Sequence, residues 1–205
     1  IYSNVTIQGA DSCYGFFSNG DSTLLEMDQG IFFTTGVAVD LPGPNSSHQT
    51  LTILNQPGDT TLNGLTTFPT YDAVVLEFDF FPEDDTLRFN VVFGSEEYSE
   101  WIGSVFKDVF GVFITGPNPA GGMYNQKNIA IVPGTVDTAI SVATINNGWA
   151  GPGSIPNGPC SNCEFFKDNT FGTTLEFDGI TTVIPAIVEV IPCQEYHMEI
   201  AIADV

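Results

Sequence analysis

Short runs of alternating apolar and polar residues recur along the chain, separated by turn-forming residues. In Val75–Phe80 the acidic Glu77 and Asp79 fall on one face and the apolar residues on the other. The segment Tyr196–Ile202 alternates in the same way. A period of two indicates half-buried strands. The predicted strands are Asn4–Gln8, Gly30–Thr35, Ala73–Phe81, Thr86–Gly94, Asp108–Thr115, Lys127–Ile131, Ala139–Thr144, Thr173–Phe177, Thr181–Val190 and His197–Ala203.

Helical patterns are short by comparison. Two short helices are predicted, near Thr60–Thr66 and Glu97–Gly103. No stretch keeps a helical period long enough for the crossover of a βαβ unit, which excludes an α/β fold. The pattern predicts an all-β chain: a two-sheet antiparallel β-sandwich, jelly-roll-like, formed by a single domain over residues 1–205.

Composition adds a core and a large negative charge. Of the 205 residues, 42% are hydrophobic and 17 are Phe, enough for a substantial core. Four basic residues face 25 acidic ones, so the net charge is −21. Phosphate backbones and anionic lipid surfaces would be repelled, which makes nucleic acid and an anionic membrane surface poor partners. No apolar stretch approaches the roughly 20 residues needed to cross a bilayer, so no direct membrane insertion is expected. The acidity either serves solubility outside the cell or gathers carboxylates around hard cations, and the two explanations are compatible.

Cysteine usage indicates an oxidising compartment. The chain has four cysteines, at positions 13, 160, 163 and 193. An even number predicts an exported protein with two disulfides, for which three pairings can be drawn among Cys13, Cys160, Cys163 and Cys193. Cys160 and Cys163 also have the spacing of a zinc knuckle, but no second such pair or paired histidine accompanies them. We therefore expect an extracellular or cell-surface location.

Carboxylates at strand ends are the candidate metal ligands. The predicted strand ending at Gly94 leads into Glu96 and Glu97, and Asp108 opens the next strand. Neighbouring carboxylates repel each other unless a cation lies between them. Asp204 directly follows the last predicted strand. The sequence thus predicts a Ca²⁺ site formed by Glu96, Glu97, Asp108 and Asp204; the alternative is a solvated acidic turn.

Enzymatic interpretations find little support in the sequence. Glu96 and Glu97 are neighbours, so on a strand they point to opposite faces and cannot flank one glycosidic bond. The nucleophile pattern G-x-S-x-G is absent. His48 and His197 are interpreted as surface histidines, so no catalytic residue is predicted. A secreted hydrolase is kept as a third hypothesis behind two non-catalytic ones.

Several segments resemble, in order, those of the bacterial choice-of-anchor L domain family, and the resemblance covers nearly the whole chain. The most specific are Phe93–Tyr98 and Phe106–Phe113. The others are Gly30–Gly36, Gly43–Ser47, Pro57–Asp59, Leu76–Phe80, Asn128–Ala130, Pro133–Thr135, Phe177–Val183, Cys193–His197 and Ala201–Asp204. The resemblance implies an exported bacterial protein with a variable downstream anchor. The cysteine pattern is similar to that of a Bacteroidetes-like branch.

The resemblance also implies adhesion or a structural role at the cell surface. In the family the chain continues past Asp204 into a Gly-Asp turn and a final apolar strand, so we expect that strand to be missing here. A missing strand would leave an open sheet edge that another chain could fill. The first hypothesis is therefore an adhesin-like domain, stabilised by Ca²⁺ and disulfides, that binds a protein or glycan. The second is a subunit of an extracellular filament or surface layer in which copies exchange strands.

Overall fold

The computed structural model describes residues 2–47, 50, 52–104, 108–151, 154 and 158–205, so His48 lies outside the described residues. Within this part of the chain the regular structure is β-strand and short 3-10 helix, without an α-helix. The strands are β1 Tyr2–Gln8, β2 Tyr14–Ser18, β3 Gln29–Phe33, β4 Tyr71–Phe80, β5 Thr86–Val91, β6 Gly94–Ser95, β7 Val109–Pro117, β8 Met123–Asn128, β9 Phe166–Asp168, β10 Gly179–Thr181, β11 Ile184–Glu189 and β12 Tyr196–Asp204. The 3-10 helices are Gly20–Ser22, Ala38–Asp40, Leu62–Gly64 and Cys163–Phe165.

A five-stranded antiparallel sheet is the main layer, with the order β1-β4-β12-β7-β8. The strands predicted from clean alternation, β4 and β12, pair at its centre, with Met198 opposite Phe78 and Ile200 opposite Leu76. On its other side β12 pairs with β7. The last strand is therefore bonded on both sides, and β1 and β8 are the edges.

The main core lies on one face of this sheet. Val112, Ile114 and Met198 from the sheet join Ile184 and Val188 from β11 in one buried cluster. Complete burial of such a side chain contributes about 1.5–3 kcal/mol. The second layer is divided into the pair β11-β5 and the three-stranded sheet β6-β10-β9. The all-β fold with a sandwich-like arrangement of antiparallel sheets is confirmed.

The opposite face of the sheet carries a smaller core. Leu62 is completely buried there, against Ala73, Val109, Phe113 and Ala201. Leu62 begins the 3-10 helix Leu62–Gly64, the short form taken by the helix predicted near Thr60–Thr66. The second predicted helix, Glu97–Gly103, is a series of turns. No helix in the described ranges is long and apolar enough to span a membrane.

Some strand predictions were wrong, in one case because a side-chain hydroxyl forms hydrogen bonds with nearby backbone groups. The segment predicted as strand Ala139–Thr144 is a turn. The Thr144 hydroxyl donates to the Ala139 carbonyl at 2.7 Å and accepts from the Ser141 N–H at 3.0 Å. Thr173–Phe177 forms a single bridge to Pro42. Other predictions also differ from the structure. The predicted strand Thr181–Val190 divides between β10 and β11, β8 lies earlier than Lys127–Ile131, and β2 and β9 were missed.

Candidate metal centre

A serine hydroxyl organises the acidic loop after β6. Ser95 is buried, and its O–H donates to Asp108 Oδ2 at 3.0 Å. The Glu97 N–H donates to the same hydroxyl oxygen at 3.0 Å. The Asp108 N–H in turn donates to Glu97 Oε2 at 3.0 Å. These bonds hold Glu97 and Asp108 together although they are 11 positions apart in the chain.

The end of β12 brings in the third carboxylate. Asp204 lies opposite Tyr71 of β4, just after a register shift that follows Ile202. Its Oδ1 accepts a hydrogen bond from the Val205 N–H at 2.8 Å. Because β12 is central in the sheet, the strand end that carries Asp204 is held by β4 at Asp204 itself and by β7 as far as Ala203.

Glu97, Asp108 and Asp204 converge at one point. One carboxylate oxygen from each lies within 4.8 Å of the other two, and all three residues are partly buried. Oxygens around a Ca²⁺ ion lie about 2.3–2.6 Å from it, so two such oxygens are separated by at most about 5 Å. The three oxygens therefore have the spacing that a single calcium ion requires.

Glu96, the fourth predicted ligand, lines the same cleft but points to a different part of it. Its Oε2 accepts the Thr50 N–H at 3.1 Å, and its Oε1 is enclosed without a hydrogen-bond partner. The Thr50 hydroxyl donates to Glu176 at 2.7 Å. Thus Glu96 lies beside Glu176, outside the converging group of three.

Two carboxylates that sequence reasoning missed complete this acidic region. Glu176 is 7% exposed and accepts hydrogen bonds from the Ser46 N–H and hydroxyl as well as from Thr50. Asp178 is also buried and accepts the Asn45 side-chain amide at 2.8 Å. The available signal was that Asn45, Ser46 and Asp178 lie in segments that carry the family resemblance. The contact between Ser46 and Glu176 could not be predicted from the sequence, because about 130 residues separate them.

These carboxylates raise one another's proton affinity. Burial, followed by the charges of Glu97 and Asp204, raises the pKa of Asp108 well above its usual range. Burial also raises the pKa of Asp204. Glu96 has its pKa raised to about 8, again chiefly by burial, with contributions from the charges of Asp178, Glu176 and Glu100. Without a cation, Glu96 would retain its proton near neutral pH, and charging Asp108 and Asp204 would cost more than in water.

A cleft of about 130 Å³ opens over the carboxylates. Its far wall is formed by residues 34–37 with Asp40 and Leu41, and Thr50 and Thr52 also line it. Six carboxylates line the cleft, those of Asp40, Glu96, Glu97, Asp108, Glu176 and Asp204, and no described Lys, Arg or His is among its lining residues. The described part of the cleft therefore carries no positive charge that could balance them.

The cysteines form one bridge instead of the two expected. Cys160 and Cys163 are bonded to each other. Cys13 is buried and donates its thiol to the Gly36 carbonyl, whereas Cys193 is exposed in the turn before β12. The bonded pair closes a tight turn whose Asn162 side chain donates to the Thr144 carbonyl at 2.7 Å. The bridge thus stabilises a local turn and does not link distant strands.

Fold and cleft together define an all-β domain with a concentrated acidic centre at its strand ends. The family model of the Choice-of-anchor L domain matches residues 1–205, and the chain belongs to that family. No curated protein and no solved structure matches the chain. Family membership points to a secreted or cell-surface protein in which this domain has a non-catalytic role.

Proposed function

We propose that this chain is an adhesin-like, non-catalytic surface domain whose binding loops are held in place by Ca²⁺. The observation that carries the proposal is the convergence of Glu97, Asp108 and Asp204 within 4.8 Å. Glu97 and Asp108 come from the loop between β6 and β7, and Asp204 from the end of the central strand β12. A cation bound by all three would connect this loop to the rigid centre of the sheet.

Calcium is the metal that this set of ligands suits best. Two of the donors come from the loop between β6 and β7 and the third from the end of β12, and Ca²⁺ takes six to eight oxygen ligands in flexible geometry. Carboxylates and waters supply that number more easily than the strict octahedron of Mg²⁺. Glu96 lies outside this group of three, and we propose that its Oε1, which has no other partner, reaches the ion through a water.

An exposed aromatic ring near the acidic loop supports a binding role. Trp149 is 60% exposed, and its Nε1–H donates to the Glu100 carbonyl at 3.0 Å. This bond orders the indole while leaving much of it in solvent. A ring held in this way can stack on a sugar or a protein side chain at little further entropic cost. We propose a glycan or protein at the cell surface as the partner.

The calcium claim is tested by thermal melting of the purified chain in metal-depleted buffer, in Ca²⁺ and in Mg²⁺. Ca²⁺ should raise the melting temperature more than Mg²⁺ does, and a chelator should reverse the rise. The variant Asp204→Asn should lose the calcium-dependent rise, while Asp84→Asn, in an exposed turn, should keep it. Equal melting temperatures in Ca²⁺ and chelator would contradict the claim.

The binding claim needs a separate measurement. Binding to an array of glycans and surface proteins should decrease in chelator and in the Asp204→Asn variant, because the loops would lose their support. The variant Trp149→Ala should reduce binding without changing the calcium-dependent melting shift. Binding that persists at full strength in all three conditions would exclude this use of the cleft and the ring.

A second candidate is an assembly subunit, favoured by the edge strand β1. All seven residues of Tyr2–Gln8 are exposed and none is charged. Tyr2, Val5 and Ile7 are among the exposed large apolar residues. Edge strands usually carry charges or prolines that prevent pairing with other chains, and β1 has neither. Light scattering in Ca²⁺ would show oligomers that Val5→Lys abolishes; a monomer at all concentrations would exclude this candidate.

A further inference from the structure

We propose that Glu199 and Glu77 form a second hard-cation site, with Ca²⁺ as its natural occupant, on the outer face of the five-stranded sheet. The site is independent of the cleft. Glu199 lies five residues before Asp204 on β12, about 17 Å along the strand at roughly 3.4 Å per residue. The ion would fasten residues 59–62 to the sheet.

The first support is an enclosed carboxylate oxygen without a partner. Glu199 is 6% exposed. Its Oε2 accepts the Thr61 hydroxyl at 3.1 Å, but its Oε1 is buried and has no hydrogen-bond partner. A buried carboxylate oxygen without a donor costs several kcal/mol unless a cation or a proton compensates it.

The second support is the charge of its neighbours. Glu77 of β4 lies directly opposite Glu199 in the antiparallel ladder. Like charges in this position repel and destabilise the pair. Burial raises the pKa of Glu199, and the negative charges of Asp59 and Glu77 raise it further. The structure thus places two carboxylates face to face and a third close by.

The protein supplies little positive charge to this group. His197 has Nδ1 at 2.8 Å from Asp79 Oδ1 and Nε2 at 3.4 Å from Glu77 Oε1, so it is already shared between two carboxylates. Even with His197 protonated, one positive charge faces the four carboxylates of Asp59, Glu77, Asp79 and Glu199.

The described Lys and Arg side chains either contact other groups or lie in the other layer. Lys167 pairs with Glu26 at 2.7 Å, and Lys127 lies over the Tyr124 ring. Arg88 belongs to β5 in the other layer. Within the described ranges, an external cation is therefore the remaining source of positive charge for this group.

A single proton on Glu199 explains the arrangement less well than a metal ion. A proton on Oε1 would have no acceptor within hydrogen-bonding distance, and a proton on Oε2, shared with the Thr61 hydroxyl, would still leave Oε1 enclosed without a partner. A Ca²⁺ ion would be bound by Oε1, by Glu77 and by waters that enter from the exposed side, since the Glu77 side chain is 31% exposed. Carboxylates and waters are the ligands Ca²⁺ prefers.

Counting bound ions in the full chain tests this inference separately from the cleft. After metal depletion, equilibrium dialysis against Ca²⁺ followed by atomic emission should give two ions per chain. Glu199→Gln and Glu77→Gln should each reduce the number to one, and Asp204→Asn should remove the other ion. The control Glu195→Gln, at an exposed turn position, should keep both.

Each outcome supports or overturns one claim. If Glu199→Gln and Glu77→Gln bind as many ions as the wild type, the second site is excluded, whatever Asp204→Asn does. A Glu199→Gln variant that also melts at a higher temperature would show that the residue is a buried neutral acid. If Glu199→Gln fails to fold by circular dichroism, Glu77→Gln, at a partly exposed position, decides the question. If the two glutamate variants each lose an ion and Asp204→Asn loses none, the cleft site is overturned and the Glu199–Glu77 site is supported.

Discussion

Replacing Asp108 by Asn should change stability in opposite directions with and without calcium. In the metal-free chain an oxygen of Asp108 lies within 4.8 Å of oxygens of Glu97 and Asp204. Two like charges at that distance repel by about 3.5 kcal/mol at an effective dielectric constant of about 20. Burial and this repulsion together raise the pKa of Asp108 well above its usual range, so holding its charge in the metal-free fold costs free energy. Asn removes the charge but keeps an oxygen that can accept the Ser95 hydroxyl.

The magnitude follows from the partial exposure of the three groups. Solvent screening reduces the repulsion, so we expect Asp108→Asn to stabilise the metal-free chain by about 1–3 kcal/mol. In a chain of this size each kcal/mol shifts the melting temperature by about 2–4 °C. In Ca²⁺ at about 1,000 times the dissociation constant, the wild type gains about 4.1 kcal/mol that the variant cannot gain. The variant should then melt below the wild type.

Differential scanning calorimetry of both proteins in chelator and in Ca²⁺ measures this change of sign. Asp84→Asn, which removes one charge from an exposed turn, is the matched control and should behave as the wild type does. The reasoning is refuted if Asp108→Asn melts below the wild type in chelator, or if both proteins show the same calcium-dependent shift. In either case the Asp108 carboxylate would have a structural role that does not involve a cation.

Three further predictions concern the core, the disulfide and pH. Ile114→Ala, at a completely buried position, should cost about 2–5 kcal/mol in urea unfolding, against less than about 0.5 kcal/mol for the exposed Ile187→Ala. Replacing Cys160 and Cys163 by Ser should cost about 2 kcal/mol, since the bridge closes a short loop; an unchanged urea midpoint would contradict this. Burial raises the pKa of Glu96 from its usual 4.5 to about 8, so the folded state binds this proton more tightly than the unfolded state. Its contribution to stability is full below about pH 4.5 and is lost as pH rises toward about 8, so the melting temperature of the metal-free chain should fall over that range, and Ca²⁺ should reduce the fall.

The strands with the clearest alternation were the ones predicted best. The predictions Ala73–Phe81 and His197–Ala203 correspond closely to β4 and β12, because a strand buried on one face must alternate whatever its partners are. Ala139–Thr144 has similar residues, but the Thr144 hydroxyl bonds to backbone groups nearby and makes a turn. Alternation alone could not distinguish the two, since the difference depends on a local hydrogen bond.

The acidic centre was partly visible in the sequence. Glu97, Asp108 and Asp204 were predicted because each stands at the end of a predicted strand, and the structure brings their oxygens together. Glu176 was missed because its partners Ser46 and Thr50 are distant in the chain and belong to irregular loops. The pairing of cysteines was equally hidden, and the structure forms one bridge where two were expected.

The sequence by itself determined the class of fold, the sign of the charge and the residue types available for binding a cation, because these follow from local periodicity and composition. The tertiary structure decided which carboxylates meet. Glu97 and Asp204 meet because β12 lies at the centre of the sheet, and Glu77 faces Glu199 because of the register between β4 and β12. Strand order and register depend on the packing of whole layers, so no short stretch of sequence contains them.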